Sequence, residues 1–216
     1  MLTLDQQWIE TVAGNDAKVI VIATVGEILD AAFGEIYRHG FQGVSVDDIV
    51  ARTSVTKGAF YHHFPTKLDL GYALVEDILT PSIVERWIAP LERYANPLEG
   101  IARQMDLLIG HADPAELRTG CPLNNLVQEM SPIDGGFRRR LQRALDVWID
   151  GIEVHIRRGQ ASGYVDRKVD ARQAAHFIVL MHEGIFGMLK GLGDPAAFYT
   201  FFASVRSYLR SLEAPS

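Results

Sequence analysis

Apolar residues recur at three- and four-residue spacing along almost the whole chain, from about Lys18 to Leu212. This spacing places them on one face of an α-helix, whereas a half-buried strand needs strict alternation of apolar and polar residues. The pattern therefore predicts an all-α protein. With 216 residues, of which 48% are hydrophobic and 22% charged, the chain suits one large or two small domains, and a disordered or collagen-like architecture is excluded.

Charge and cysteine content restrict the possible partners. The formal net charge is −6, so any binding of nucleic acid must depend on a local basic patch. A single cysteine excludes an intrachain disulfide and a multi-cysteine zinc site, while a disulfide between two chains stays possible. No run approaches the roughly 18 apolar residues of a membrane span, and the first ten residues lack the pattern of a signal peptide. We therefore expect a soluble, cytoplasmic protein.

Capping and stop residues divide the chain into helices. Gly40 follows the first helix where a C-terminal stop belongs, and Ser45 and Thr56 are good caps for two short helices. Proline suits a first helical turn, which marks the start of three later helices. The predicted helices cover Lys18–His39, Val46–Thr53, Lys57–His63, Lys67 to about Trp87, Pro97–His111, Pro122–Met130, Gly136–Gly159, Ala171–Gly191 and Pro195–Leu212.

The two short helices and the turn between them, Thr53–Thr56, have the form of a helix-turn-helix. Both are too short to be stable alone, so they must pack on the first helix, whose apolar stripe runs from Ile28 to Ile36. From Arg52 to Lys67 there are three cations and no acid, although the first seventy residues carry a net charge of 5 − 9 = −4. The segment therefore predicts a DNA-binding surface. The alternative is a plain helical packing unit with a charged face.

The second short helix carries side chains suited to a DNA groove. Small residues let its backbone come close to DNA, hydroxyl and ammonium groups bind phosphates or base edges, and Lys67 starts the next helix, where amide groups also favour phosphate. The predicted DNA-binding residues are Ser45, Thr56, Lys57, Gly58, Ala59, Tyr61, His62 and Lys67.

The run Ile28–Leu70 resembles the TetR family of transcriptional regulators. The matching elements are Ala31-Ala32-Phe33, Gly40-Phe41, Ser45-Val46-x-x-Ile49, Val55-Thr56-Lys57-Gly58, and Phe60-Tyr61-x-His63-Phe64 with Lys67. The resemblance implies a DNA-binding domain over residues 18–70 and a helical ligand-binding and dimerisation domain over residues 71–216. It further implies a homodimeric repressor that binds a palindromic double-stranded DNA operator and is released by a small-molecule effector.

Two features depart from the family pattern. This chain has Thr53-Ser54-Val55 where the family commonly has Ala-Gly-Val, so a slightly strained turn is expected at the serine. The stretch before Ile28 ends in Gly26-Glu27, where the family often has a basic residue that contacts the DNA backbone. One phosphate contact is then lost, or replaced by Thr24 or Lys18.

The segment Thr119–Ser131 resembles a subset of TetR-like proteins in which a Gly-Cys pair opens a helix, some of which sense electrophiles through the cysteine. Pro122 would put Cys121 at the helix cap, where free amides lower the pKa of a thiol. The alternative is that Cys121 is a small buried apolar residue. The predicted ligand-binding residues are Met105, Cys121, Asn124, Asn125, Gln128, Trp148, Ile152 and Met181.

Sites of other kinds are not expected. His176, His182 and Glu183 share one helix, but their spacing is not the i, i+4 histidine pair of a zinc protease, and we predict neither a metal nor a cofactor. Phosphate loops, dinucleotide fingerprints and nucleophile elbows are absent from the sequence, so an enzyme is not expected. The competing hypothesis is a helical small-molecule carrier or thiol enzyme that uses the pocket near Cys121.

The last two helices combine bare glycine positions with a stripe of aromatic residues. Glycine inside a helix costs about 1 kcal/mol relative to alanine, which a close helix contact would offset. The resemblance implies that these helices pair with their mates in a four-helix dimer interface, and the alternative is packing within one chain. The predicted interface residues are Gly184, Gly187, Gly191, Phe198, Phe201, Phe202 and Val205.

Overall fold

The computed structural model of the chain describes residues 24–111, 118–194 and 196–215. These residues form helices and no strand, which confirms the predicted all-α class. An isolated antiparallel bridge joins Val165 to Glu213. The chain divides into two compact units, and the division falls between Leu74 and Val75, inside a continuous helical stretch rather than at residue 70. None of the described helices is both long and apolar enough to cross a membrane.

The first unit contains four helices: α1 over the described residues 24–39, α2 (Val46–Val50), α3 (Lys57–His63) and α4 (Lys67–Ala73). Its core is formed by residues that the apolar pattern predicts, with Ile28 and Ile36 of α1 buried. Gly40 ends α1 with a φ of 79°, a conformation that favours glycine. The predicted start of this helix, from Lys18, lies outside the described residues.

Helix α2 is shorter than predicted and ends at Val50 instead of Thr53. The amides of Arg52 and Thr53 donate to the carbonyls of Ile49 and Val50, three residues back. Such bonds tighten the chain beyond the α-helical turn, so the helix cannot continue. The start of α2 is as predicted, because the Ser45 side chain accepts a hydrogen bond from an amide of the first turn.

The helical stretch that begins with α4 is longer and less regular than predicted. It runs to Arg93 instead of Trp87, through π-helical turns at Leu74–Leu79 and Val84–Ile88, a short α-helix α5 (Thr80–Ile83) and a 3₁₀ turn at Ala89–Arg93. Pro81 has no amide hydrogen, so the i→i−4 ladder is interrupted at that point. The Thr80 hydroxyl instead donates to the Val75 carbonyl at 2.8 Å.

The described part of the second unit includes further helices. They are α6 (Pro97–His111), α7 (Pro122–Met130), α8 (Gly135–Ala161), α9 (Ala171–Leu192) and α10 (Ala197–Ser211). Helix α8 is central, because α6, α7 and α9 all pack on it, while α10 packs on α6 and α9. The bounds predicted for α6 and α7 are confirmed at both ends. Gly193 ends α9 in the left-handed conformation, with φ of 66°, and the predicted start of α10 at Pro195 lies outside the described residues.

Candidate nucleic-acid interface and effector site

Helix α3 separates a buried face from an exposed one. The Thr56 hydroxyl caps the helix by accepting from the Ala59 amide at 3.2 Å. Phe60 is fully buried and Phe64 is 7% exposed, so both hold the helix to the core as predicted. Tyr61, one residue further round the helix, is 43% exposed. This periodicity leaves one face of α3 free of contacts with the core.

Most of the predicted DNA-binding residues are exposed on or beside this face. The exposed ones are Ser45, Thr56, Lys57, Gly58, Tyr61 and His62, and the half-buried ones are Ala59 and Lys67. The ammonium of Lys67 lies 4.5 Å from the centre of the Phe41 ring, a cation–π contact that positions the side chain. The hydroxyl of Ser45 donates to Asp48 at 2.6 Å, and this bond lowers the pKa of the Asp48 carboxyl. Ser45 therefore acts first as a helix cap.

The basic segment is free of acids in sequence but not in space, which corrects the expectation of an acid-free patch. Asp47 of α2 lies 2.6 Å from the Lys57 ammonium and raises its pKa. Glu35 of α1 lies 3.2 Å from the Arg52 guanidinium. Two of the three cations of the segment are therefore paired with carboxylates from other helices.

Glu35 gives Arg52 a structural role. Its side chain is only 9% exposed and is held by Arg38 at 3.0 Å as well as by Arg52. The two arginines are 56% and 64% exposed, so solvent weakens both ion pairs, while the carboxylate itself lies largely out of solvent. The Arg52–Glu35 ion pair therefore joins the end of α2 to α1.

The turn before α3 is unstrained, so the strain expected at Ser54 is wrong. Among the described residues no non-glycine residue has a positive φ. The Ser54 amide and hydroxyl instead donate to the two carboxylate oxygens of Glu27, at 2.6 and 3.0 Å. Glu27, which lies where the family often has a basic residue, thus fixes the turn between α2 and α3 to α1.

Asp47 places a negative charge beside the predicted DNA-binding residue Lys57, which gives a prediction. Asp47→Asn should tighten DNA binding several-fold, because it removes a repulsion from phosphate and releases Lys57 from its ion pair. Fluorescence anisotropy with duplex DNA measures the change. The control is Asp30→Asn, an exposed acid of the same unit on α1. An equal gain from both variants would mean that only net charge matters and that Asp47 has no local effect.

Cys121 occupies the cap position of α7, but its environment is the opposite of the one predicted. Its side chain makes no capping hydrogen bond and is 9% exposed. Burial and the neighbouring Glu183 carboxylate raise the pKa of the thiol well above its ordinary value, and they outweigh the backbone amides of α7, which act to lower it. The expectation of a stabilised thiolate is therefore wrong.

The low reactivity of this thiol can be measured. At neutral pH, Cys121 in the folded protein should react with iodoacetamide at least about tenfold more slowly than in urea, because the reactive species is the thiolate. Mass spectrometry of samples quenched over time gives both rates. Equal rates in the folded and unfolded protein would show that the folded thiol is as accessible and as ionised as the thiol in urea, which would contradict its burial.

Cys121 lies against two residues of α9. The Cys121 sulfur, a ring nitrogen of His182 and a carboxylate oxygen of Glu183 all lie within 4.8 Å of one another. His182 Nδ1 is 3.1 Å from Glu183 Oε1. Asn124, one of the predicted ligand-binding residues, donates to the Glu183 backbone carbonyl at 3.2 Å and so ties α7 to α9 at this point.

Aromatic rings surround His182, which is 6% exposed. The ring centroids of Trp87, Trp148 and Phe186 lie 4.5, 4.7 and 4.6 Å from that of His182. Trp148 was predicted from the sequence, whereas Trp87, His182, Glu183 and Phe186 were missed. The sequence contained one usable signal, the one-turn spacing of His182 and Phe186 on an apolar face.

Of the remaining predicted ligand-binding residues, Gln128 contacts this corner of α7 and α9 by donating to the side-chain oxygen of Asn124 at 3.4 Å. Met105 and Ile152 are buried in the core, Met181 is half-buried and Gln128 is exposed. Asn125 is held by the Thr119 carbonyl and by Lys190. A groove of about 810 Å³ on α9 and α10 contains none of them; it is lined by Lys168, Val169, Asp170, Gln173, Ala174, His176, Phe177, Leu180, Tyr208 and Leu212.

The predicted interface residues divide into two groups. Phe198, Phe202 and Val205 are buried within the single chain, so their assignment to contact with a partner is corrected. Phe201 is half-buried, and Gly187 faces Asn124 of α7, 3.7 Å from where its Cβ would lie.

By contrast, no atom of the described residues lies within 4 Å of a Cβ placed at Gly184 or Gly191. These two glycines belong to the surface of α9 that also exposes Phe177, Leu180, Met188 and Leu192.

Two family models match the chain. The model described as "Bacterial regulatory proteins, tetR family" matches residues 28–74, and "Tetracyclin repressor-like, C-terminal domain" matches residues 97–205, about half of the chain. The chain belongs to the TetR family. The first match covers the helix-turn-helix and the second covers α6 to α9 and part of α10. The resemblance that the sequence motifs indicate is thereby confirmed.

Individual relatives agree with this membership. The transcriptional regulator AcuR of Cereibacter sphaeroides is 30% identical over 164 residues, which is 70% of each chain. An uncharacterized HTH-type regulator of Lactococcus lactis is 30% identical over 120 residues, 56% of this chain and 61% of that protein. A TetR-family regulator of Cytophaga hutchinsonii, at 19% identity, has the same fold, with a TM-score of 0.79 over 90% of this chain and 96% of that one.

Proposed function

We propose that this TetR-family regulator is a homodimeric repressor that binds a palindromic operator and is released by a small molecule. The observation that carries the DNA-binding part is the exposed face of α3, whose buried side is fixed by Phe60 while Lys57, Gly58 and Tyr61 face solvent. The repressor-like C-terminal domain of the second unit supports the rest. The protein would act in the cytoplasm, where its DNA lies.

On DNA, α3 would lie in the major groove with its N-terminal residues towards the bases, as in other helix-turn-helix proteins. Gly58 and Ala59 allow close approach of the backbone, and Thr56 and Lys57 are placed to meet base edges or phosphates. Tyr61 and Lys67 lie at the edges of this surface and would bind phosphates. Phosphate contacts fix the register, and base contacts give the sequence preference.

The phosphate contacts are tested by Lys67→Ala and Tyr61→Phe. Both should weaken binding to every duplex sequence, because phosphates carry no sequence information. For Lys67→Ala the slope of log affinity against log salt should fall by about one unit. Anisotropy titrations over a range of salt concentrations measure both quantities.

The control is Lys168→Ala, an exposed lysine of the second unit. Lys168→Ala should bind as the parent protein does. If Lys67→Ala also had the affinity and the salt slope of the parent protein, Lys67 would not belong to the DNA interface.

The dimer would form through the exposed surface of α9 and not through the buried phenylalanines. Phe177, Leu180, Gly184, Met188 and Gly191 follow one another at three- and four-residue spacing, which aligns them along one side of the helix. Apolar side chains on this side are 41–63% exposed in the single chain. A row of exposed apolar residues of this length marks an interaction surface, and the open glycines allow close approach of a partner helix.

The effector would bind in the second unit where α7 meets α9. There, Trp87, Trp148 and Phe186 offer apolar surface while Cys121 and Glu183 offer polar groups, the usual make-up of a small-molecule site. The effector can release DNA only if it binds the free and DNA-bound conformations with different affinity. The alternative of a thiol enzyme is not favoured, because the raised pKa keeps Cys121 protonated.

A further inference from the structure

Three side chains with metal-binding atoms converge at the contact of α7 and α9. Cys121 comes from the cap of α7, and His182 and Glu183 come from the middle of α9. Their donor atoms all lie within 4.8 Å of one another, and His182 Nδ1 is 3.1 Å from Glu183 Oε1. No other such group of three occurs among the residues that the structure describes.

We propose that Cys121, His182 and Glu183 bind a divalent transition metal, with Zn²⁺ as the best-matching ion. Thiolate sulfur, imidazole nitrogen and carboxylate oxygen are the three ligand types that zinc takes in proteins. A tetrahedral ion with bonds of about 2.0–2.3 Å holds neighbouring donors roughly 3.3–3.8 Å apart. Separations of at most 4.8 Å therefore need shifts of about 1.5 Å or less.

The surroundings of the three donors favour a defined site. Three aromatic rings hold the His182 ring, so its orientation is set before an ion arrives. The Asn124 amide fixes the α9 backbone at Glu183. Three protein ligands leave a fourth position for water or for an atom of a small molecule, as in zinc sites that are not purely structural.

Charge balance supports the same assignment. With Cys121 as thiolate and Glu183 as carboxylate, a divalent ion makes a neutral site, which lowers the cost of burying these charges. Metal binding breaks the S–H bond, forms the metal–sulfur bond and releases the proton to solvent. Among the described residues, Glu183 and His182 of α9 place titratable groups against the thiol.

This metal site is a property separate from the proposed repression. Its occupancy can be measured without DNA, so it can be tested independently. The test uses the full-length, tag-free protein after treatment with a chelator, titrated with Co²⁺ as a spectroscopic substitute for Zn²⁺. We expect saturation at one Co²⁺ per chain with a thiolate-to-cobalt charge-transfer band. Zn²⁺ should then displace the Co²⁺ and abolish the band.

Three variants make the assignment specific. Cys121→Ser should lose the charge-transfer band, and Glu183→Gln should weaken Co²⁺ binding at least about tenfold. His176→Gln is the matched control, an exposed histidine of the same helix outside the cluster, and it should bind as the parent protein does. Because Cys121 is buried, the fold of each variant is checked by circular dichroism. Glu183 is partly exposed, so Glu183→Gln keeps the test decisive if Cys121→Ser does not fold.

Proton release supplies a second readout. The apparent affinity for Co²⁺ should rise about tenfold per pH unit from neutral to mildly alkaline pH, since one thiol proton is lost on binding. This dependence should disappear in Cys121→Ser. The proposal is overturned if the parent protein shows no charge-transfer band, if Cys121→Ser keeps the parent affinity, or if His176→Gln weakens binding as strongly as Glu183→Gln does.

Discussion

Leu180→Glu is expected to convert the protein to a monomer and to abolish operator binding while leaving the fold intact. Leu180 is 63% exposed in the single chain, so the substitution disturbs no core contact, and glutamate is a good helix former. In a two-fold interface each variant residue buries a carboxylate against an apolar partner surface, and symmetry makes the penalty act twice. The dimer dissociation constant should rise at least about 100-fold, which corresponds to about 2.8 kcal/mol.

Loss of the dimer removes DNA binding for a geometric reason. A palindromic operator has two half-sites about 34–36 Å apart, and a monomer can contact only one of them. Sedimentation velocity at micromolar protein concentration reports the association state, and anisotropy with operator DNA reports binding. All DNA-facing residues of α3 remain unchanged in this variant, so lost binding would come from lost association.

Val154→Glu is the matched control for this experiment. Val154 is 62% exposed, nearly the same as Leu180, but it lies on α8. It should leave both the dimer and operator binding unchanged. If Leu180→Glu stays dimeric, or if Val154→Glu dissociates the protein instead, the α9 surface is not the interface.

The helix starts and the core of the first unit could be predicted from the sequence where the structure describes them, because their signals are local. Ser45 and Thr56 cap the helices they precede, and Phe60 and Phe64 are buried as their spacing requires. The electrostatics of the same unit could not be predicted in this way. Glu35 is far from Arg52 in sequence and meets it only because α1 packs beside the end of α2.

The second unit shows the same limit more strongly. The bounds of α6 and α7 followed from proline and apolar spacing, but Cys121 meets His182 and Glu183 across about sixty residues of chain. A rule based on spacing within one helix cannot find such a group. The predicted direction of the Cys121 pKa shift was also wrong. Helix-end amides, which lower the pKa, are a local feature, whereas burial and Glu183, which raise it, come from tertiary packing.

The α10 part of the interface prediction was corrected for a related reason. Sequence spacing identified apolar sides on both of the last helices but could not decide which side faces the chain's own core. The structure answers this for α10, where Phe198 and Phe202 turn inward. On α9 the apolar pattern nearly encircles the helix, since Ile178 and Phe186 are buried while Leu180 and Met188 are exposed. A helix that is apolar on two sides needs two partners, which is why its outer side is assigned to the second subunit.

Gly58→Glu should change stability and DNA binding in opposite directions. The nearest neighbour that a Cβ at Gly58 would meet is Thr56 Oγ1 at 4.0 Å, so the fold has room for a side chain. Replacing a helical glycine should raise the free energy of unfolding by roughly 0.5–1 kcal/mol, and an acid in the first turn of α3 adds to this by interaction with the helix dipole. The same carboxylate would stand in the major groove against phosphates, and DNA affinity should fall at least about 30-fold.

The opposite changes in stability and DNA affinity make this variant informative. If the variant is more stable than the parent protein, a destabilised α3 cannot explain its loss of DNA binding. Gly135→Glu provides the comparison, because Gly135 is also a first-turn glycine, at the start of α8 in the second unit. It should leave DNA affinity unchanged. Urea unfolding and DNA anisotropy on the same samples give both quantities, with Gly58→Ala as a smaller, uncharged step. If Gly58→Glu bound DNA as tightly as the parent protein, the N-terminal end of α3 would not face the groove, and the docking proposed for this helix would have to be abandoned.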